Sequence, residues 1–528
     1  MAPVDLEPST SIVPALARGS HILLAAGLTA IAGRTIFRSY LTLPPSSTTR
    51  HREPLRRGHV KLFSALALLS GVTAIYFGST FAWLSYQVWA GERGIELPNS
   101  FLGDNGAFCG GEHPGRFQLV RWLNDTPLYK DAFEIVAGKA RYFWWGQQAS
   151  LSTLSWSTFL AIEGKRRKIS NLWAFLLLGQ LVSLSYGQNL FFVATLLTPV
   201  PLPDNVTSLT RSSVPATSSR LAQLKSKILL AKPDGWLPHP AFYIMPLLVS
   251  LGAVVLTPYS VNSPSFMNIA LLFQALPSIN ILLPYLIPES WGTTYTHPHN
   301  AQKTYTMLFR TISTLSALLH LKSTGMALFY STPSSEYYHP TFLHPLNHEH
   351  RSTLDRSSVA LAKLFGAIGE HPAVSAVGYD VLLSGVSIGL WTAIRSLDPT
   401  DLLSSSIPFV GRNTASSSVE EAKHEPEEES TTIDTSPKKR TRGRPKKTES
   451  LATSNEVRVP KTRRRKQAEA EPEPDSAYQP TADESRIEGD EEALEDDWEA
   501  AALAWGLISA GGLGLGSCGV FGAECVAR

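Results

Sequence analysis

A charge at membrane depth is costly and is kept where it binds, relays protons or pairs, so ionisable residues inside apolar runs are the first chemistry to weigh. Asp380, in Ala376-Val377-Gly378-Tyr379-Asp380, stands inside the apolar run 372–394, and Lys322 stands inside the preceding run, 303–330. If the two runs form a helical hairpin, carboxylate and ammonium sit at similar depth and are expected to pair. The alternative roles are proton donation by an Asp380 kept protonated by burial, and substrate binding by Lys322. Arg310, near the start of its run, can reach the interface with its long stem.

The neighbouring runs offer amides and aromatic faces. Tyr142-Phe143-Trp144-Trp145-Gly146-Gln147-Gln148 opens one, and Gln180, Gln188 and Asn189 lie in the next. On one continuous helix Gln180 and Gln188 fall about 80° apart. Such amides serve either to bond helix to helix or to line a cavity. With Trp156 and Tyr186, the tryptophans Trp144 and Trp145 would wall a pocket of π-faces suited to an isoprenoid or other lipid-like substrate and to cationic intermediates. The candidate substrate-binding residues are therefore Gln147, Gln148, Gln188, Asn189, Lys322 and Trp145, with Asp380 as the candidate catalytic acid. That chemistry is similar in class to membrane-bound terpene cyclases, although none of their motifs maps onto this chain.

Metal and cofactor chemistry find less to work with. His297, His299, His339, His344, His348 and His350 cluster in loops, but H-x4-H-x3-H-x-H is no recognised zinc spacing. The paired histidine boxes of membrane desaturases are absent. Gly512-x3-Gly516 has no Lys-Ser/Thr after it, so it reads as a packing face for a neighbouring helix and not as a phosphate loop. Cys109, Cys518 and Cys525 are too few and too scattered for a disulfide framework. No metal and no cofactor is expected.

The elements that must position these residues are long helices. The totals, 528 residues with net charge +2 and 43% hydrophobic residues, average over two unlike parts. A bilayer core about 30 Å thick needs roughly 20 apolar residues in helix. Uncharged runs cover Leu62–Ala90, Tyr142–Ile162, Asn171–Pro203 and Ala500–Ala523, and Gly235–Pro288 is long enough for two spans with a turn at Asn262-Ser263-Pro264-Ser265. With the charged runs and a weaker first span, the fold class expected is an all-α polytopic transmembrane bundle of about eight or nine spans, ten at most. The domain reading is an N-terminal segment 1–19, a bundle 20–395, a disordered charged linker 396–499 and a last span 500–523.

Lys and Arg in short loops set the orientation. Arg34, Arg38, Arg50, Arg52, Arg56, Arg57 and Lys61 fill one loop and Lys165-Arg166-Arg167-Lys168 another, so both are expected in the cytosol. The sequons at Asn124 and Asn205 then fall in loops expected to be lumenal, which makes both candidate glycosylation sites of an endoplasmic-reticulum, nuclear-envelope or other endomembrane protein.

The linker is acidic, then basic over 438–466, then acidic again, a pattern that cannot bury enough apolar surface to fold. Within it Arg442-Gly443-Arg444-Pro445, flanked by Lys438, Lys439, Lys446 and Lys447, closely resembles an AT-hook. That resemblance implies insertion of Arg442 and Arg444 into a narrow A/T-rich minor groove, with Gly443 allowing close approach. The plainer reading of 438–466 is a solvated basic linker that attracts anionic lipid. Helix parity decides whether the linker can see chromatin at all: with every run above counted as a span, it is lumenal.

The stretches Leu128-Tyr129-Lys130-Asp131-Ala132-Phe133-Glu134 and Gly292-Thr293-Thr294-Tyr295-Thr296-His297-Pro298-His299 resemble those of multi-spanning integral membrane proteins of filamentous fungi, a likeness that brings no activity with it. The functional expectation is a bundle in the bilayer that binds or converts a lipophilic small molecule. The alternatives are a transporter, for which Pro277 and Pro284 in one run speak, and a nuclear-envelope tether for A/T-rich DNA.

Overall fold

The computed structural model describes residues 12–43, 53–97, 117–198, 236–294, 302–338, 348–408 and 497–526. Nearly all of them are helical: α1 (Val13–Leu41), α2 (Glu53–Glu92), α3 (Leu119–Asp125), α4 (Leu128–Gly138), α5 (Ala140–Arg166), α6 (Leu172–Leu181), α7 (Leu184–Leu196), α8 (Ala241–Ser260), α9 (Phe266–Leu286), α10 (Gln302–Ser331), α11 (Thr353–Gly366), α12 (Pro372–Arg395), α13 (Pro399–Ser406) and α14 (Trp498–Val526). Two short antiparallel ribbons join β1 (Trp236–Pro238) to β2 (Gly292–Thr294) and β3 (Glu336–Tyr338) to β4 (His348–His350). Among the described residues six helices, α1, α2, α8, α9, α12 and α14, are long and apolar enough to cross a membrane. The chain is thus a helical membrane protein, with fewer such helices than the eight or nine spans expected.

The bundle has two ends. At one, Arg141 at the start of α5 pairs with Glu370 just before α12, 2.7 Å apart. At the other, Arg167 after α5 and Arg395 at the end of α12 both bond Glu524, at 3.2 and 2.8 Å. Helix α1 starts at the Glu370 end, where Arg18 donates to Tyr129 of α4 at 3.1 Å, and finishes at the Arg167 end, where the Thr198 hydroxyl donates to Ser39 at 2.9 Å. Helix α10 starts at the Arg167 end, with the Ser313 hydroxyl donating to the Ser406 carbonyl at 2.7 Å. It leads to α11 at the other end, where Arg356 donates to the Pro333 carbonyl at 3.1 Å. Helices α8 and α9 form the expected hairpin around Asn262–Ser265, and Lys165 ties β1 below them to the Arg167 end through the Trp236 carbonyl at 2.9 Å.

The described part, 171–198, of the run expected as one span, Asn171–Pro203, is two short helices folded back on each other. At about 1.5 Å per residue neither α6 nor α7 reaches across a 30 Å core. The chain turns at Val182 and at Ser183, whose extended backbone (φ −163°, ψ 149°) and side chain cap α7. Phe175 meets Phe191 with ring centroids 5.7 Å apart, and a Cβ on Gly187 would lie 2.7 Å from the Gly179 nitrogen and from the Phe175 carbonyl oxygen. Both ends of this hairpin lie at the Arg167 end: Asn171 donates to Thr35 at 3.2 Å, and Thr198 accepts from Arg167 at 3.0 Å.

Helix α14 does the same at the other side of the bundle. Gly512 sits at φ 81°, ψ 169°, a conformation open in practice to glycine alone, and breaks the helix into two arms. A Cβ on Gly516 would stand 3.0 Å from the backbone nitrogen of Ile508, which a straight helix would hold about 12 Å along the axis at 1.5 Å per residue. The first arm starts where the Asp497 N–H donates to the Ala393 carbonyl at 3.1 Å, and the second ends at Glu524 beside Arg395. Length and composition suit α14 to a span, yet it enters and leaves at the Arg167 end. The Gly512-x3-Gly516 face therefore packs the two arms of one helix together.

Between them α5 runs from end to end, buried over most of its length and stacked through Phe159 on Phe521 with centroids 4.6 Å apart. Several of its hydroxyls bond back to the preceding turn, Ser150 to the Gly146 carbonyl at 2.9 Å and Thr153 to the Ala149 carbonyl at 2.8 Å, while the Ser152 hydroxyl and the Trp156 N–H are buried without a partner among the described residues.

Candidate functional site

Asp380, about a third of the way along α12, does not pair with Lys322. Its two oxygens accept the N–H groups of Leu184 and Ser185, each at 2.8 Å, and the Ser185 hydroxyl at 2.6 Å. The expected pairing assumed that the runs 303–330 and 372–394 form a hairpin, whereas α11 stands between the two helices in the chain. Because α7 begins at mid-depth, its first N–H groups need an acceptor there, and Asp380 supplies it. Lys322 faces the other way, with Nζ 5.2 Å from the centre of the Tyr259 ring.

The buried amides and aromatics are spread along the two hairpins and do not wall one pocket. Gln148 accepts the Leu513 N–H at the tip of α14 at 2.9 Å and meets His320 at 2.8 Å. Gln188 accepts from Ser384 at 2.6 Å, and Asn189 donates to the Ser185 carbonyl at 2.8 Å. Gln180 and Gln274 exchange amide-to-carbonyl bonds at 2.7 and 3.0 Å across α6 and α9, so Gln180 and Gln188 never share a helix. Trp145 donates to the Leu364 carbonyl at 3.2 Å, Trp156 packs on Gly179, and Tyr186 donates to Thr29 at 3.2 Å. These contacts hold helices in place.

Two of the expected site residues do come together. Gln147 and Lys322 line a cavity of about 580 Å³ between the α4–α5 elbow, the later half of α8 and the later half of α10. Val254, Val255, Leu319 and Met326 give it an apolar wall, with Tyr259 and Tyr330 toward its mouth. Gln147 is only 4% exposed, and it lines the cavity. Lys139 and Arg141 also line it, while no carboxylate does among the described residues. Arg141 is held by Glu370 and Lys139 by Tyr142, whose hydroxyl it reaches at 3.3 Å. Comparison with known proteins identifies no relative: no family model, no curated protein and no solved structure matches the chain.

The sequence reading missed two charged clusters. One is the buried network at the Arg167 end, in which Glu163 pairs with Arg167, and Arg166 stands 2.7 Å from Glu163 off the hydrogen-bonding direction. Glu524 takes Arg167 and Arg395. Lys165–Lys168 signalled a basic loop, and nothing local pointed to a partner at Glu524. The other is Glu370, whose carboxyl the hydrogen bonds of Arg141 hold below the usual carboxylate range, helped by the Tyr142 hydroxyl at 2.6 Å.

Asn124 lies in α3 at the Glu370 end, where Trp89 donates to the adjacent Asp125 at 3.1 Å. Asn205, Arg442, Gly443, Arg444, Pro445 and the rest of 409–496, as well as His297, His299, His339 and His344, lie outside the described residues. Among those described, no cluster of three or more His, Cys, Asp or Glu could hold a metal ion.

Proposed function

We propose that this is a multi-pass endomembrane protein that binds an amphiphilic, lipid-like molecule in the cavity floored by Gln147. The observation that carries the reading is the Gln147 carboxamide, on a residue only 4% exposed, at the wall of a cavity that Val254, Val255, Leu319 and Met326 also line. A carboxamide lining a cavity can both donate to and accept from the polar end of a ligand held there. A volume of about 580 Å³ is in the range of small-molecule sites. Binding is proposed and not conversion, because Asp380 has both oxygens engaged by α7 and does not line the cavity. Photolabelling the purified chain with clickable diazirine fatty acid and fatty alcohol should place the label on peptides spanning 137–147, 254–259 or 319–331. Ala140→Trp, which fills the cavity, should remove it. Label spread evenly over the helices and untouched by Ala140→Trp would refute the reading.

Transport is the second reading, and the two hairpins favour it. Half-length helices with non-helical tips at membrane depth are tolerated where protein or a cavity surrounds them, and they recur along substrate paths. Here both tips are closed, by Asp380 and by Gln148. Loss of a lipid-analogue gradient in vesicles on adding the chain would support transport, and a gradient indifferent to it would not.

The Lys and Arg bias assigns the Arg167 end to the cytosol. Ile407 and Asp497, which flank the charged insertion, both belong to that end, as Ser406 and Ala393 contacts attest. On that assignment the insertion they flank faces cytosol or nucleoplasm, the side on which we propose contact of Arg442 and Arg444 with A/T-rich DNA, or of 438–466 with anionic lipid. Arg442→Ala with Arg444→Ala should then abolish binding to an A/T-rich duplex. By the same assignment Thr198 and Trp236, which flank the segment holding Asn205, stand at the cytosolic end, and Asn124 is the sequon we propose as glycan acceptor.

A further inference from the structure

Charge around the cavity narrows what it takes, on the reading that it binds an amphiphile. Lys139, Arg141 and Lys322 line it, and no Asp or Glu does among the described residues. Glu370 neutralises Arg141 bidentately, at 3.1 and 2.7 Å. Lys139 and Lys322 stand over aromatic rings, Tyr142 at 4.8 Å and Tyr259 at 5.2 Å from ring centre to Nζ, and Lys139 also feels the nearby Glu370 carboxylate. Cation–π contact orients an ammonium without cancelling its charge. Lys322 stands on α10 among apolar neighbours, where an unpaired cation is costly unless it meets an anion or reaches water.

We propose that the cavity selects an amphiphile with an oxyanion headgroup, a carboxylate or phosphate monoester. Lys322 and Lys139 hold the headgroup charge, the Gln147 amide donates to one of its oxygens, and the acyl chain lies along Val254 and Met326. The Glu370–Arg141 pair keeps a competing carboxylate out of the cavity. Both lysines line the cavity, and an oxyanion there is attracted by each of them.

The test uses the full chain in detergent and two clickable diazirine probes of equal chain length, a fatty acid and the corresponding fatty alcohol. Selective labelling by the acid, about tenfold over the alcohol, is the expected result. Lys322→Gln should abolish the preference, Lys322→Arg should keep it, and unchanged thermal unfolding of both variants excludes a folding defect. Unlabelled palmitate or phosphatidic acid should compete, whereas inorganic phosphate should not. Equal labelling by acid and alcohol at this site overturns the proposal while leaving amphiphile binding intact; absence of either label there overturns both. Competition by inorganic phosphate as strong as by palmitate makes it a bare anion site and also overturns the proposal.

Discussion

Asp380 and Ser185 are joined twice: the Ser185 N–H donates to Oδ1 at 2.8 Å, and its hydroxyl donates to the same oxygen at 2.6 Å. With the Leu184 N–H on Oδ2, the carboxylate closes the start of a half-length helix in the middle of the bundle. The residue that looked most like a catalytic acid is thereby a cap, and its place explains how α6 and α7 can turn at membrane depth.

Asp380→Asn leaves one acceptor oxygen for two N–H groups and aims an amide donor at the other. The loss of a charge-assisted cap should cost about 1–3 kcal/mol. A lowered Tm of the purified chain, with proteolysis newly cutting between Val182 and Ser185, is the expected outcome. An unchanged Tm would mean that the carboxylate is dispensable to the hairpin.

Gly512→Ala tests the second hairpin. A Cβ there would stand 2.5 Å from Gln148 Oε1 and from His320 Nδ1, at a φ of +81° that side chains avoid. Strain of this kind costs on the order of 1–3 kcal/mol before the clash is counted. Thermal unfolding should show at least that loss, whereas Gly506→Ala, with open space around it, should be neutral by the same assay.

Glu524→Leu removes the acceptor shared by Arg167 and Arg395 and leaves two guanidiniums at the buried end of the network. Breaking one side of a buried pair typically costs about 3–5 kcal/mol. The second arm of α14 should detach first, read as faster alkylation of Cys525, which is 3% exposed in the intact fold. Slow, parent-like alkylation would count against the network as the anchor.

Glu370 gives the pH dependence. Its pKa in the folded chain is depressed by Arg141, so the pairing is fully stabilising above the unfolded carboxylate value and is lost as pH falls through the lower folded value. Tm should therefore drop as the buffer is taken below about pH 4. Glu370→Gln should lower Tm at neutral pH and flatten that acid limb; a variant with the parent's acid limb would place the titration on another group.

Much of the bundle was legible in apolar runs, and the α8–α9 turn in Asn262–Ser265. The hairpins were not, because an uncharged stretch such as 171–203 has the same hydropathy straight or folded. The local traces were a serine able to cap, Ser183, and the glycines Gly179, Gly187 and Gly512, whose contacts appear only once the arms meet. Gln147 and Lys322 stood out as polar residues in apolar surroundings. Lys139 did not, since it precedes the run, and neither did Glu524, whose partner Arg167 is 357 residues away.

Sidedness follows from the hairpins and is the most direct check on them. In a Cys109→Ser background, Lys168→Cys, Thr400→Cys and Glu96→Cys, all exposed, can be probed with an impermeant maleimide in sealed microsomes, alongside a protease-cleavable tag after Arg528. Because neither hairpin crosses, Lys168→Cys and Thr400→Cys should label from outside and the tag should be cut there, while Glu96→Cys should label only after permeabilisation. Labelling of Thr400→Cys on the side opposite Lys168→Cys would make 171–203 a true span and contradict the account.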